Sequence, residues 1–264
     1  MSDWIAIVLL GIIEGITEFL PISSTGHLLI AEHTQWLPRQ SDLFNIVIQC
    51  GAVLAVLPLF PDRLRQFLFR WREPDTRDYL LKIAVAFAIT GVGGLILDKA
   101  HFKLPEELFP VAVAMLVGGV LFLVIEAWLR GRTLSEEITW TIVVAIGLGQ
   151  LIAAIFPGTS RSGATILLAL ALGLTRPAAT EFSFLVGIPT LLAAGGLKIF
   201  KQLHHPAATP PENWGLLLLG SLVAAVVSFG VVKWLLVYVR THTFTVFGWY
   251  RIAFGAFILA LIFR

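Results

Sequence analysis

The chain has 264 residues, 57% of them hydrophobic and 14% charged, with a mean hydropathy of +0.86. A water-soluble domain carries roughly a quarter charged residues, so this composition excludes a soluble globular protein and leaves no room for a separate soluble domain. The formal net charge is only +2, and the single cysteine, Cys50, sits in an apolar run, which excludes a disulfide framework or a cysteine-based metal site.

Residues 4–20 are apolar but lack a basic leader and a small-residue cleavage pattern, and they carry Glu14 and Glu18. They read as part of the mature fold and not as a signal peptide. This first region continues to residue 31 and is broken by Pro, Ser, Thr and Gly at 21–26. Six runs then come close to the ~20 residues that a helical crossing needs: about 43–60, 80–97, 108–129, 182–200, 214–238 and 246–263. Between the third and fourth lies a second interrupted region, 141–173, broken at 157–163. The pieces after the two breaks, 27–31 and 164–174, are too short to cross alone. Each interrupted region therefore predicts a re-entrant helical hairpin, its irregular backbone tolerated at depth only against protein or a wet cavity. The glycines at 91, 93, 94, 118 and 119 are expected to serve helix packing.

The two interrupted regions resemble one another. With Pro21 on Pro157, Gly11 falls on Gly147 and Glu14 on Gln150. With one residue inserted, Ser23-Ser24-Thr25-Gly26-His27 lies over Ser160-Arg161-Ser162-Gly163-Ala164. The predicted fold is thus an all-α polytopic membrane protein, one integral domain over 1–264. Six transmembrane helices and two re-entrant hairpins (about 4–31 and 141–173) form repeats over about 4–130 and 141–263. With three crossings each, the halves are expected to insert with opposite orientation. Placing the basic segment 61–82 in the cytoplasm and counting spans puts twelve Lys and Arg on that side, Arg251 among them. Six fall outside, and Arg161 lies within the membrane. The basic cluster at 63–72 is a topology signal and implies no nucleic-acid partner.

The two polar islands carry the chemistry. Glu14 and Glu18, one helical turn apart, project from one face; a lipid-facing acid at bilayer depth costs several kcal/mol on most scales, so intramembrane acids mark functional sites. They offer the hard oxygens that Mg²⁺ uses when it binds through carboxylates and substrate phosphates. Ser, Thr and Gly at a helix start offer caps and amides for an anion, and the planar fork of Arg161 suits phosphate oxygens. His27 can carry a proton near neutral pH. Together these groups point to metal-assisted phosphoryl transfer. Blander roles stay open for each piece: a proton relay for the glutamates, a helix break for the Ser-Ser-Thr-Gly run, charge neutralisation for Arg161 and a structural hydrogen bond for His27. His204 and His205, in a polar Pro-rich loop, are expected to be solvated.

Glu14-Gly-Ile-Thr-Glu18-Phe-Leu-Pro-Ile-Ser23-Ser24-Thr25-Gly26-His27 and Pro157-Gly-Thr-Ser160-Arg161-Ser162-Gly163-Ala164-Thr165 resemble the two signature segments of the bacterial undecaprenyl-diphosphate phosphatase family, associated with bacitracin resistance. The likeness extends to Phe44-Asn45-Ile-Val-Ile-Gln49 and Phe247-Gly-Trp-Tyr-Arg251, and so covers nearly the whole chain. Asn45 departs from it, since an acidic residue is expected there. The histidine that follows an arginine motif in type-2 phosphatidic acid phosphatases is missing.

The resemblance implies an enzyme of the bacterial inner membrane, its site open to the outer face. It would hydrolyse undecaprenyl diphosphate to undecaprenyl phosphate and inorganic phosphate, recycling the lipid carrier of peptidoglycan synthesis with a divalent cation, Mg²⁺ or Ca²⁺. On this reading Ser24, His27, Arg161 and Glu18 are catalytic, and Glu14 and Glu18 hold the metal. Ser23, Thr25, Gly26, Thr159, Ser160, Ser162 and Gly163 bind substrate. Ser24 is the leading nucleophile with His27 as its base, while attack by water or by His27 stays open. The expected partners are the polyprenyl diphosphate and bilayer lipid, with a homodimer left open. The rival function is a transporter or flippase of a lipid phosphate or small anion; an ion channel is disfavoured because the polar residues cluster at two points.

Overall fold

The computed structural model describes residues 3–100, 107–204 and 212–263. Among these the regular elements are helical, and one isolated bridge joins Ser135 to Leu174. In chain order they are α1 (Asp3–Thr17), α2 (Ser24–His33), α3 (Asp42–Val56, prolonged by a 3₁₀ turn Leu57–Leu59), α4 (Pro61–Phe69) and α5 (Pro74–Lys99). There follow α6 (Leu108–Trp128), α7 (Trp140–Ile155), α8 (Arg161–Ala171), α9 (Arg176–His204), α10 (Trp214–Tyr238) and α11 (Thr245–Ile262).

Local sequence explains the starts. The side chains of Ser41, Thr139 and Asn213 accept from first-turn amides of α3, α7 and α10, and Pro61 and Pro74 open α4 and α5, where the missing N–H is no loss. Six helices are long and apolar enough to cross a bilayer: α3 with its 3₁₀ turn, α5, α6, α9, α10 and α11. The outer faces are apolar too, with Leu95, Val124 and Val226 more than half exposed. Such a surface matches lipid, and the protein is a multi-pass membrane protein.

The folded chain departs from the sequence expectations in three respects. α5 and α9 each begin six residues before the expected runs, because charged residues at 75–78 and 176–181 ride on the ends of long helices. The basic segment also folds into α4, and both breaks are shorter than expected, for helix resumes at Ser24 and at Arg161. His205 lies outside the described residues.

Helices meet through small residues. α10 packs between α1 and α3, α5 against α7, α6 against α11, and α9 against α3 and α8. A Cβ on Gly11 or Gly15 would strike the Gly220 or Ala224 carbonyl of α10; one on Gly147 would strike Ile89 and the Ala86 carbonyl of α5. Gly93 and Gly119 are close contacts of this kind, as expected, whereas Gly91 and Gly94 face open space.

Ionic ties fasten the end of the bundle that bears α4. Arg63 donates to Glu181 of α9 at 2.6 Å and lies 4.1 Å from the centre of the Tyr79 ring. Arg176 pairs with Glu126 of α6, which also accepts from the amide of Phe244 at 2.7 Å.

Candidate active site

The turns between α1 and α2 and between α7 and α8 are built alike. Each ends on a serine with positive φ, Ser23 at 72° and Ser160 at 70°. Each serine caps the next helix by accepting from the amide three residues on: Gly26 to Ser23 Oγ at 3.3 Å, Gly163 to Ser160 Oγ at 3.1 Å. A non-glycine residue held there stores on the order of 1–3 kcal/mol. The result is that Ser24 and Arg161, the first residues of α2 and α8, leave equivalent turns.

Both reach one carboxylate. Ser24 Oγ donates to Glu18 Oε2 at 2.8 Å, and Arg161 Nη2 donates to Glu18 Oε1 at 3.0 Å. The two turns also touch directly, since Ser162 Oγ lies 3.2 and 3.1 Å from the carbonyls of Glu18 and Leu20. The first and second islands, more than 130 residues apart in sequence, are thereby joined around one acid.

A cavity of about 340 Å³ opens over this junction. Glu18, Ser23, Ser24, Thr25, Ser160 and Arg161 line it, together with Gln49 of α3, Thr90 of α5, Gln150 of α7 and Thr190 of α9. Arg161 keeps Nε and Nη1 without a hydrogen-bond partner, so its fork has donors to spare for an anion. Gln150 gives its amide to Thr90 Oγ1 at 2.8 Å and keeps Oε1 unpartnered.

Other predicted residues lie elsewhere. Thr159 lines a separate apolar recess of about 630 Å³ with Phe156 and Ala164. Gly26 faces Met115 of α6, and the Gly163 amide is taken by Ser160 Oγ and not left for a phosphate. Ser162 binds the other turn, as described. His27 is not among the cavity's lining residues: Nδ1 donates to the Ser23 carbonyl at 2.7 Å, and Nε2 lies 2.6 Å from the Tyr250 hydroxyl. Its ring stacks on Phe254 at 4.3 Å, beside an apolar recess.

Glu14 is fully buried, one turn behind Glu18, and both its carboxylate oxygens lack a hydrogen-bond partner. A buried carboxylate left without donors is costly; Glu14 and Glu18 are hard-oxygen groups of the kind a divalent cation takes, although Glu14 is not among the residues that line the cavity. Among the described residues there is no group of three or more His, Cys, Asp and Glu that could hold a metal.

Sequence reasoning missed several contributors. Gly187 of α9 lies against Arg161, whose guanidinium would collide with any Cβ there. Arg251, counted above as a cytoplasmic charge, is fully buried within α11. Tyr250 reaches His27, and Thr90 orients Gln150. Gln49, Thr90, Gln150 and Arg251 carried a signal as polar residues inside apolar runs, and Gln49, Tyr250 and Arg251 also fall in the segments that carry the family likeness.

The chain matches the model of the bacitracin resistance protein BacA family over residues 7–257. It belongs to that family. An undecaprenyl-diphosphatase of Rhizobium etli (strain CIAT 652) is 49% identical over 261 residues, 98% of this chain and 97% of that protein. Undecaprenyl-diphosphatases of Rhizobium leguminosarum bv. trifolii (strain WSM2304) and Xanthomonas oryzae pv. oryzae (strain PXO99A) are each 50% identical over the same shares. The matched residues include both turns, so the similarity is not confined to one motif.

Proposed function

We propose that this protein hydrolyses undecaprenyl diphosphate to undecaprenyl phosphate and inorganic phosphate. The observation that carries the site assignment is the single carboxylate of Glu18, which takes Ser24 on one oxygen and Arg161 on the other. Ser24 Oγ bonds to the terminal phosphorus as the bond from that phosphorus to the bridging oxygen breaks, and undecaprenyl phosphate leaves. The serine proton passes to Glu18 Oε2. Protonation weakens the hold of Glu18 on Arg161, freeing the guanidinium for charge on the transferred group. Water then cleaves the phosphoserine, and the proton on Glu18 returns to Ser24.

His27 is placed one step back. With Nδ1–H on the Ser23 carbonyl, Nε2 of the neutral ring accepts from Tyr250, so its part is to hold the turn that presents Ser24. Thr25, Ser23 and Ser160 complete the polar wall. Glu14, joined by Glu18 while that carboxylate is ionised, would hold Mg²⁺ or Ca²⁺, which would neutralise diphosphate charge.

Two re-entrant hairpins within an inverted repeat are the arrangement we infer, and two observations support it. The turns share their serine caps and positive φ. The packing also pairs off: α1 on α10 as α7 on α5, and α3 on α10 as α9 on α5. An outward-facing site follows if α4 is cytoplasmic. The cavity residues Ile46 and Gln49, in the first half of α3, and Thr90, in the second half of α5, then lie in the outer leaflet. The reading is of an enzyme of the bacterial inner membrane that recycles carrier lipid for peptidoglycan, and the name of the similar proteins supports it.

The test is phosphate release from undecaprenyl diphosphate by purified protein in detergent, with and without a chelator. Release that stops on chelation and resumes with Mg²⁺ or Ca²⁺ is expected. Absence of release would return the fold to the transport reading, which the relatives' names do not favour.

A further inference from the structure

Arg251 is the largest fully buried side chain described, and it lies on α11, outside both polar islands. All its bonds go to main-chain carbonyls. Nη1 reaches Pro21 in the first turn at 3.2 Å; Nη2 reaches Gly158 in the second turn at 3.0 Å and Ala114 of α6 at 3.1 Å. Among the described residues no carboxylate pairs with it, and Nε has no partner. A buried guanidinium without a counter-ion is expensive, and an apolar side chain of similar volume would fill such a site at lower cost. Stability alone is therefore a poor reason for an arginine here.

What the guanidinium does supply is one rigid planar group joining two turns that come from distant parts of the chain. Pro21 is three residues before Ser24, and Gly158 is three before Arg161. Turn carbonyls have no helical partner of their own, and these two share one donor group. The surroundings make room for it. A Cβ on Gly118 of α6 would clash with the guanidinium, and Gly163 lies close to Nη1.

We propose that Arg251 is a positioning residue for cleavage of the diphosphate anhydride bond: it sets the spacing of the two turns so that Ser24 and Arg161 meet Glu18 together. This rests on the reading of the cavity as the diphosphate site. A catalytic group misplaced by about 1 Å can cost on the order of 100-fold in rate, whereas substrate affinity falls less because Arg161 remains charged.

The experiment compares wild type, Arg251→Gln, Arg251→Lys and Gly118→Ala as monodisperse detergent-purified proteins. It measures kcat and KM for phosphate release from undecaprenyl diphosphate. Arg251→Gln is expected to lose about 100-fold in kcat with KM within about threefold, and Arg251→Lys to recover at least about tenfold of it. Gly118→Ala leaves the arginine in place but displaces its head, and should lower kcat by about tenfold or more; it decides the matter if Arg251→Gln does not fold. A folded Arg251→Gln or Gly118→Ala protein with wild-type kcat would overturn the proposal, even if its melting temperature fell. Wild type without phosphate release would instead overturn the functional reading on which the proposal stands.

Discussion

Glu18 is a single point of failure. Because its two oxygens serve different partners, Glu18→Gln removes the proton acceptor of Ser24 and the anchor of Arg161 in one step. We expect Ser24→Ala and Glu18→Gln each to lose about 1,000-fold in kcat, about 4 kcal/mol of barrier. The double variant should fall no further than the worse single, since the groups act as a unit. Additive losses in a phosphate-release assay would mean that the two side chains work independently. Glu18, Ser24 and Arg161 were legible in the sequence because charge and hydroxyls inside an apolar run are conspicuous. The misplacement of Thr159, Gly26 and His27 has a different origin. Within a turn, neighbouring residues point in different directions, and spacing alone does not say which of them faces the cavity and which faces a neighbouring helix.

At the scale of elements, helix packing decides where functional groups can sit. Gly187 gives Arg161 its place, and the helix continues through Pro189 two residues later. Gly187→Ala should push the guanidinium off Glu18 and lower kcat/KM by about 10- to 100-fold, with the melting temperature little changed; unchanged kinetics would show that Arg161 has another route to the acid. The ties at the α4 end have the opposite role. Glu126 is buried and joins α6, α9 and α11, so Glu126→Ala should cost on the order of 3 kcal/mol. The melting transition in detergent would fall while kcat at low temperature stayed near wild type. The six crossings were readable because bilayer thickness fixes how long an apolar run must be. α4 was not, because a nine-residue amphipathic helix has neither the length nor the apolarity that such a rule detects.

Across the whole molecule, the two islands that align on Pro21 and Pro157 come together, and the 3.0 Å contact of Arg161 with Glu18 joins them. What one dimension could not reveal was the inward placement of Arg251. Counting spans gives every arginine near a helix end a side of the membrane, yet only the folded packing tells that this one turns inward. The like-built turns carry a last implication about handedness. After its capping serine one turn presents a hydroxyl and the other a guanidinium, and only the second has a hollow carved opposite it by Gly187. Exchanging the pair, Ser24→Arg with Arg161→Ser, should therefore leave phosphate release at background. Which half of the chain attacks and which half receives is written into the neighbouring helix, not into the turns.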